Sequence, residues 1–363
     1  MIDVIIGAGQ GGCRIAKIFG GEFEVPVGYL NFARVDFSQL KVPKSKMLLI
    51  DTGGTGRNPV VGEKLARKNR DKITHFLEET LPISKDKRVA LCVGGGGGSG
   101  AGMMFTIIRY LLKKKANVLL LYTLPEKREG LPAKPNSLRS LNKIITRYLE
   151  PDKITCLVID NSFCVDRFGS STTGVEAGAY WNDVNQGIIH GLRRFWYLTN
   201  LEKLTNFIDV TLGYAALDEQ ELTRILYMKG GFIDLREFIC STPDPELAKK
   251  AKFRSLVFGN LDIGSTKGYI VTVGFPYKMR DDRRVNQFLD IIFNKLQRIT
   301  KTTFVLRSSH FNREIDEIRV NVLLSGLVKS HGLKKIVGQT VKDVAKYKDK
   351  SKIEKLDLSG TEY

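Results

Sequence analysis

Cysteine, histidine and tryptophan are scarce in this chain, and it has no long apolar run. Its 363 residues include 5 cysteines, at 13, 92, 156, 164 and 240, odd in number and widely scattered. That distribution excludes a disulfide framework and the paired short spacing of a zinc site. Most of them are expected as small buried residues. No stretch approaches the roughly 18 apolar residues of a membrane-spanning helix. Met1 to Ile6 enters a strand-like run without the basic region, apolar core and cleavage site of a secretory leader. The expectation is a soluble, cytoplasmic protein with no membrane partner. Also missing is a Gly-Lys-Ser/Thr after the longest glycine run, so ordinary P-loop chemistry lacks its phosphate cation. No internal repeat is visible, and no low-complexity segment beyond that run.

Positive charge and glycine are in excess. Lys and Arg number 57 against 39 Asp and Glu, a formal net charge of +18, which favours nucleic acid, anionic nucleotides or an acidic partner surface. With 42% hydrophobic residues the chain can bury large cores, and its length suits two domains of about 100 to 200 residues.

The run from Val93 to Gly102 holds seven glycines, one serine and one alanine. Such a run can be a flexible linker. Here it joins a buried-strand pattern, Arg88 to Val93, to a helix-like segment, Met103 to Leu112, with no shift in composition between them. Backbone without side chains at a strand-to-helix junction can press its N–H groups on phosphate oxygens, and the positive helix end favours the anion.

Strand patterns near 2–6, 26–31, 47–50, 88–93, 117–122 and 154–159 alternate with helical ones. That order predicts a parallel sheet covered by helices, with ligands at the carboxyl ends of its strands. Glu176 to about Leu201 reads as one long helix, too densely apolar for a surface position. A helix over Asp218 to Met228, strands at 253–259, 268–275 and 318–325, and a helix over Arg284 to Ile299 suggest a smaller mixed unit. From Lys329 to Lys355 nine lysines share a tail with Leu333, Ile336, Val337, Val341 and Val344 at helical spacing. This predicts a docked apolar stripe with a basic outer face, either solvated or in contact with DNA or a DNA-bound adaptor.

Gly7 to Cys13 fits the dinucleotide pattern G-x-G-x-x-G. The acidic residue that a nicotinamide site needs about 20 residues on is Asn31, and an oxidoreductase leaves the second glycine loop without a task. A third loop, Gly54-Thr55-Gly56-Arg57-Asn58-Pro59-Val60-Val61-Gly62, follows the strand pattern at 47–50.

With these three loops in order the chain resembles the tubulin and FtsZ superfamily of GTPases. Gly54 to Gly62 is similar to its γ-phosphate loop, G-x-G-x-N-P-x-x-G, and Gly96 to Gly102 to its signature G-G-G-[ST]-G-[ST]-G. Gly7 to Cys13 is similar to its first glycine loop, and Leu124-Pro125-Glu126 to Gly130 to its ribose loop. The resemblance implies an α/β, tubulin/FtsZ-like fold: a Rossmann-like parallel-sheet GTPase domain over 1–201 with a central helix at 176–201, a smaller α+β unit over 202–330, and a basic helical tail over 331–363.

It also implies a site. Gly9, Gln10, Gly11, Gly12, Gly54, Thr55, Gly56, Asn58, Gly96, Gly97, Gly98, Ser99 and Gly100 would hold the phosphates of GTP or GDP. Mg2+ would be bound mainly through those phosphates, with Gln10 a possible contact. Cys13, Glu126, Asn161 and Asn182 would meet ribose or base. An amide oxygen can accept from the guanine ring N–H and amino group, which adenine does not offer. Taken alone, Asn161 equally makes a turn and Asn182 a polar spot on a helix. The family's base-stacking aromatic is replaced by Gly178. Asp218 and Glu221 resemble the carboxylates that polarise water at a neighbouring subunit's γ-phosphate; the same Asp-x-x-Glu is also a helix capping box worth about 1 kcal/mol. The family's asparagine two residues before the first carboxylate is Ala216 here.

Hydrolysis split in this way requires head-to-tail contact and an open filament of identical subunits. Asn31 to Leu40 and Leu217 to Leu222 look more like the TubZ-type proteins that segregate plasmid or phage DNA than like FtsZ. An FtsZ-type division protein or a phage spindle tubulin is the alternative, and a dinucleotide-binding oxidoreductase the remote one.

Overall fold

The computed structural model describes residues 1–38, 40–50, 53–126, 129–130, 132–168, 177–199, 208–209, 217–258 and 261–327. The lysine-rich tail and Ala216 lie outside the described residues, as do the side chains at 177–183. Twelve strands are seen among the described residues: β1 Val4–Ala8, β2 Val27–Asn31, β3 Met47–Leu49, β4 Arg88–Gly94, β5 Asn117–Leu124, β6 Thr155–Asp160, β7 Ile208–Asp209, β8 Gly231–Cys240, β9 Arg254–Ser255, β10 Gly268–Pro276, β11 Val305–Asn312 and β12 Ile318–Leu327. The α-helices are α1 Gly9–Phe23, α2 Arg34–Ser38, α3 Pro59–Lys68, α4 Arg70–Thr80, α5 Ser99–Lys113, α6 Ala133–Ile144, α7 Asn161–Phe168, α8 Ala177–Tyr197, α9 Glu219–Leu226, α10 Pro245–Lys250 and α11 Arg284–Thr300.

All twelve strands join one sheet, in the order β3-β2-β1-β4-β5-β6-β8-β12-β10-β11-β7, with β9 beside β8. The side from β3 to β8 is parallel throughout. β1 is buried along its whole length, β4 along all but its two ends, and β5 from Val118 to Leu124. Near-continuous apolar strands of this kind are what two covered faces demand. The other side turns antiparallel at β8–β12 and β12–β10. The boundary expected at 201/202 falls between α8 and α9, yet the sheet crosses it: β6 pairs with β8 from Thr155↔Gly231 to Leu157↔Ile233.

The expected long helix is α8, somewhat shorter than 176–201. Val184, Ile188, Ile189, Leu192 and Phe195 on it are all buried. Arg193 pairs with Glu22 of α1, and Arg194 donates to Glu237 of β8 at 2.6 Å, so the helix is anchored to both sides of the sheet.

β8 and β11 were not expected, and the strand expected at 253–259 shrinks to β9. These differences share a cause. β8 carries Asp234, Arg236 and Glu237, which break the apolar pattern although all three are buried. Arg236 Nε donates to Asp234 at 2.7 Å, and its Nη2 to the Leu261 carbonyl at 2.8 Å. The Ser255 hydroxyl accepts the N–H groups of Val257 and Phe258 at 3.3 and 3.0 Å, so local side-chain bonds replace the ladder beyond Leu256, whose N–H still donates to the Leu235 carbonyl at 2.7 Å.

Candidate functional site

The segments after β1, β2, β3, β4, β5 and β6 surround a cleft of about 520 Å³ at the carboxyl edge of the parallel strands. That volume suits a nucleotide-sized ligand. Its floor consists of two helix starts. α1 follows Ala8 and α5 follows Gly98, and neither helix has a side-chain cap. Their first-turn N–H groups, which no helix pairs internally, are thus left without a side-chain cap, and with the helix dipoles they can receive an anion. α3 and α9, which do not start on this floor, are capped by Asn58 and Asp218.

The glycines divide into two kinds. Gly98 is required by packing: a Cβ there would stand 2.6 Å from the Asn58 nitrogen, so the loop after β3 lies directly on the loop after β4. Gly9 has φ +70°, and its Cβ would meet the Gly100 nitrogen at 2.6 Å. Gly97 differs, because nothing stands within 4 Å of the position of its Cβ and it faces the open cleft. Its missing side chain leaves room for a ligand to approach the backbone.

Of the expected phosphate contacts, Gly9, Gln10, Gly11, Gly54, Thr55, Gly56, Gly96, Gly97, Gly98, Ser99 and Gly100 all line the cleft. Thr55 Oγ1 lies 3.5 Å from Ser99 Oγ, linking the two loops. Gly12 and Asn58 do not line it. Gly12 packs α1 against the Cys92 backbone of β4. The Asn58 amide oxygen accepts from Val60 and Val61 N–H at 2.9 and 3.4 Å as the cap of α3.

Of the four expected ribose or base contacts, Cys13 and Glu126 do not line the cleft. The Cys13 side chain is turned away: its thiol is buried, donates to the Gly7 carbonyl at 3.3 Å, and is pushed far up in pKa by burial. Glu126 does not line the cleft, whereas Glu129, three residues on, does. The Glu126 N–H donates to Glu129 Oε1 at 2.9 Å, Asn161 hydrogen-bonds the same carboxyl, and burial raises its pKa. The Asn182 side chain lies outside the described residues, but Asn185, one turn further along α8, is buried and lines the cleft. Asn161, the first residue of α7, lines the cleft. The loop after β5 was legible in sequence; which of its residues lines the cleft was not.

Asp218 and Glu221 lie elsewhere. Asp218 caps α9, accepting the Glu221 N–H at 2.9 Å, and both residues are exposed. The neighbouring Glu219 receives Arg88 Nη1 at 2.7 Å, and Arg88 Nη2 donates to Asp3 at 2.9 Å. Arg88 opens β4 and Asp3 precedes β1, so α9 starts at the amino edge of the sheet. At about 3.3 Å per residue the length of β4 puts roughly 20 Å between that edge and the cleft.

Arg14, Asp36 and Arg57 also line the cleft, beyond the expected set. No group of three or more metal-ligating side chains occurs among the described residues. No described helix is long and apolar enough to cross a membrane.

No protein-family model matches the sequence, and no curated protein does. Solved structures match the fold. The GTPγS-form protofilament of TubZ from Bacillus thuringiensis serovar israelensis is 17% identical, with 96% of this chain and 93% of that one covered and a TM-score of 0.77. GTPγS-bound protofilament CetZ2 from Haloferax volcanii is 19% identical, with 96% and 100% covered and a TM-score of 0.69. A TubZ described as a type III plasmid segregation protein is 16% identical, with 97% and 94% covered and a TM-score of 0.71. Across nearly its whole length, the chain has the tubulin/FtsZ-like fold of TubZ and CetZ.

Proposed function

We propose that this protein is a GTPase that assembles head to tail into a filament and hydrolyses GTP at the contact between subunits. The observation that carries this reading is the separation of two half-sites by the length of the sheet. The cleft with its uncapped helices lies at the carboxyl edge, and Asp218 and Glu221 project from the amino edge. Within one chain they cannot meet. Translation of a second copy along the strand direction brings the two edges together, and a repeated translation is an open polymer.

The residues present fit a guanine nucleotide with Mg2+. The α1 and α5 N-termini and the backbone at Gly96 to Gly98 would receive the phosphates; Glu129, Asn161 and Asn185 would face ribose and base. Mg2+ would be held mainly by the phosphates, with Gln10 at the cleft wall. Asp218 and Glu221 of the next subunit would orient the attacking water and accept its proton. Val35, Val60 and Val61 are exposed on the rim beside the lining residues Asp36 and Arg57, an apolar margin suited to cover by another subunit. GTPγS- and GDP-form protofilaments among the structural neighbours support the same reading.

Complementation of two variants tests it. Gly97→Asp places a carboxylate against the phosphates, and Asp218→Asn with Glu221→Gln removes the far carboxylates while Asn keeps the helix cap. Each variant alone is expected to be inactive, and an equimolar mixture to regain part of the GTPase activity. Hydrolysis per wild-type subunit that is independent of protein concentration, or a mixture as inactive as its parts, would count against a shared site.

The finer role we propose is positioning of plasmid or phage DNA. It is supported by the net charge of +18, the lysines after Gly332 and the likeness to a plasmid segregation TubZ. Truncation after Gly332 should abolish capture of DNA or of a DNA-bound adaptor and flatten its salt dependence. Unchanged capture and slope would instead favour a division-type or spindle-type filament.

A further inference from the structure

Arg88 joins the amino edge of the sheet to the helix that carries Asp218 and Glu221. One side of its guanidinium is fixed in the sheet. Nε and Nη2 donate to the two oxygens of Asp3 at 3.0 and 2.9 Å, and the Arg88 backbone N–H adds a bond to the same carboxylate at 2.8 Å. The Asp3 N–H in turn donates to the Arg88 carbonyl at 2.8 Å. These bonds to Arg88 hold the Asp3 carboxyl down to about 2, below the ordinary carboxylate range. A planar fork seated on both oxygens of a carboxylate has a set direction.

The remaining nitrogen reaches α9. Nη1 donates to Glu219 Oε1 at 2.7 Å and to Thr223 Oγ1 at 3.2 Å, and Glu219 also receives the Met1 ammonium at 2.6 Å. Glu219 and Thr223 are four residues apart and share one flank of the helix. Leu222, Ile225 and Leu226 form its buried seat. At 3.6 residues per turn, Glu221 falls on the flank of that stripe opposite Glu219 and Thr223. Apolar burial is non-directional, so the seat holds the helix down without setting its roll. The bonds from Arg88 set the roll, and with it the direction of Glu221. Asp218 follows, because it accepts the Glu221 N–H at 2.9 Å. We propose that Arg88 is a positioning residue that aims Asp218 and Glu221 at the nucleotide of the neighbouring subunit. The strand that begins at Arg88 ends at Gly94, where the longest glycine loop starts, so one rigid element holds both half-sites of a subunit in register. The proposal rests on the shared-site reading above and adds the residue that orients its carboxylates. A misplacement of about 1 Å costs up to about a hundredfold in rate, so turnover is affected and nucleotide affinity is not.

The test uses the full-length chain and directional complementation. Arg88→Gln is expected to bind GTP within about twofold of wild type, in calorimetric titration below the concentration at which light scattering rises, while its kcat on assembly falls at least about tenfold. Mixed with Gly97→Asp, whose α9 is intact, it should regain activity, because its own sound cleft then meets an unaltered α9. Mixed with the Asp218→Asn, Glu221→Gln variant, it should gain nothing over Arg88→Gln alone. Glu219→Ala changes a half-exposed side chain and should repeat this one-sided pattern, so it carries the test if Arg88→Gln does not fold. Equal activity in the two mixtures would overturn the assignment, as would a loss of GTP affinity alongside turnover, or a wild-type kcat in both variants. The mixture of Gly97→Asp with Asp218→Asn, Glu221→Gln separates the two readings. If it is active and the one-sided pattern is missing, only the role of Arg88 falls; if it is inactive, the shared site falls and the role of Arg88 with it.

Discussion

The parallel side of this one sheet, β3 to β6, and its mixed side, β8 to β11, handle polar groups in opposite ways. On the side from β3 to β6 the strand interiors are apolar, and polar side chains and bare backbone collect at the carboxyl edge around the cleft. On the side from β8 to β11 polar groups run through the strands themselves. Asp234, Arg236, Glu237, Ser308, Ser309, His310 and Asn321 are all buried there. Asp234 accepts from Arg236 at 2.7 Å and from the Ser255 hydroxyl at 2.6 Å, while Arg194 of α8 links Glu237 at 2.6 Å and Asn321 at 2.7 Å. One side keeps its polar chemistry at an edge, where a ligand can reach it. The other spends it inside, on pairs that hold the sheet and α8 together.

If that contrast is right, substitutions on the mixed side should act on stability and those at the cleft on binding. The largest effect is expected from Asp234→Ala, which strands the buried Arg236 without its carboxylate. Unfolding free energy measured in urea should fall by about 3–5 kcal/mol, with the nucleotide affinity of the folded fraction little changed. A loss below about 1 kcal/mol would mean that Arg236 is solvated there, and the contrast would weaken.

Next in size is an effect of pH. Burial on β11 pushes the His310 imidazole from its ordinary 6.5 down to about 4. Between those values the unfolded chain takes up a proton that the folded chain refuses. Stability is therefore full above pH 6.5 and declines as the pH falls toward 4, by up to about 3 kcal/mol, levelling off below. Urea midpoints between pH 7.5 and 4 should show this slope, and His310→Asn should remove most of it. A slope that survives the substitution must come from other groups.

The smallest effect belongs to the cleft. Gly97→Ala puts a methyl group into space with no neighbour within 4 Å, so the thermal midpoint should not fall. The same methyl stands where a phosphate would approach the backbone, and nucleotide affinity should drop about tenfold, or 1.4 kcal/mol. A drop in melting temperature with unaltered affinity would reverse the assignment of that glycine.

The same contrast explains what could be read from sequence. The strands β1, β4, β5 and β6 are uninterrupted apolar runs, each followed by a loop of distinctive composition, so their pattern and the placement of the site were legible. β8 and β11 were hidden because buried Asp234, Arg236, Ser308 and Ser309 imitate solvent-facing residues, and only their partners reveal otherwise. Within the site, spacing does not separate neighbours that share a loop: Glu126 and Glu129 both belong to the loop after β5, and of the two Glu129 lines the cleft.

What the sequence by itself determined is the local chemistry: glycine-rich strand-to-helix junctions, apolar parallel strands and an acidic helix start at Asp218. These follow from properties of short segments, namely backbone freedom, side-chain volume and hydrogen-bonding capacity. Tertiary structure decided everything that depends on distance. It turned the Cys13 thiol away from the cleft, placed Glu129 and Asn185 on the cleft wall, paired the buried charges of β8, and set Asp218 and Glu221 at the edge of the sheet opposite the phosphate loops. The physical reason is that a strand holds its two ends apart, so groups a few residues from each end of β4 belong to opposite faces of the molecule.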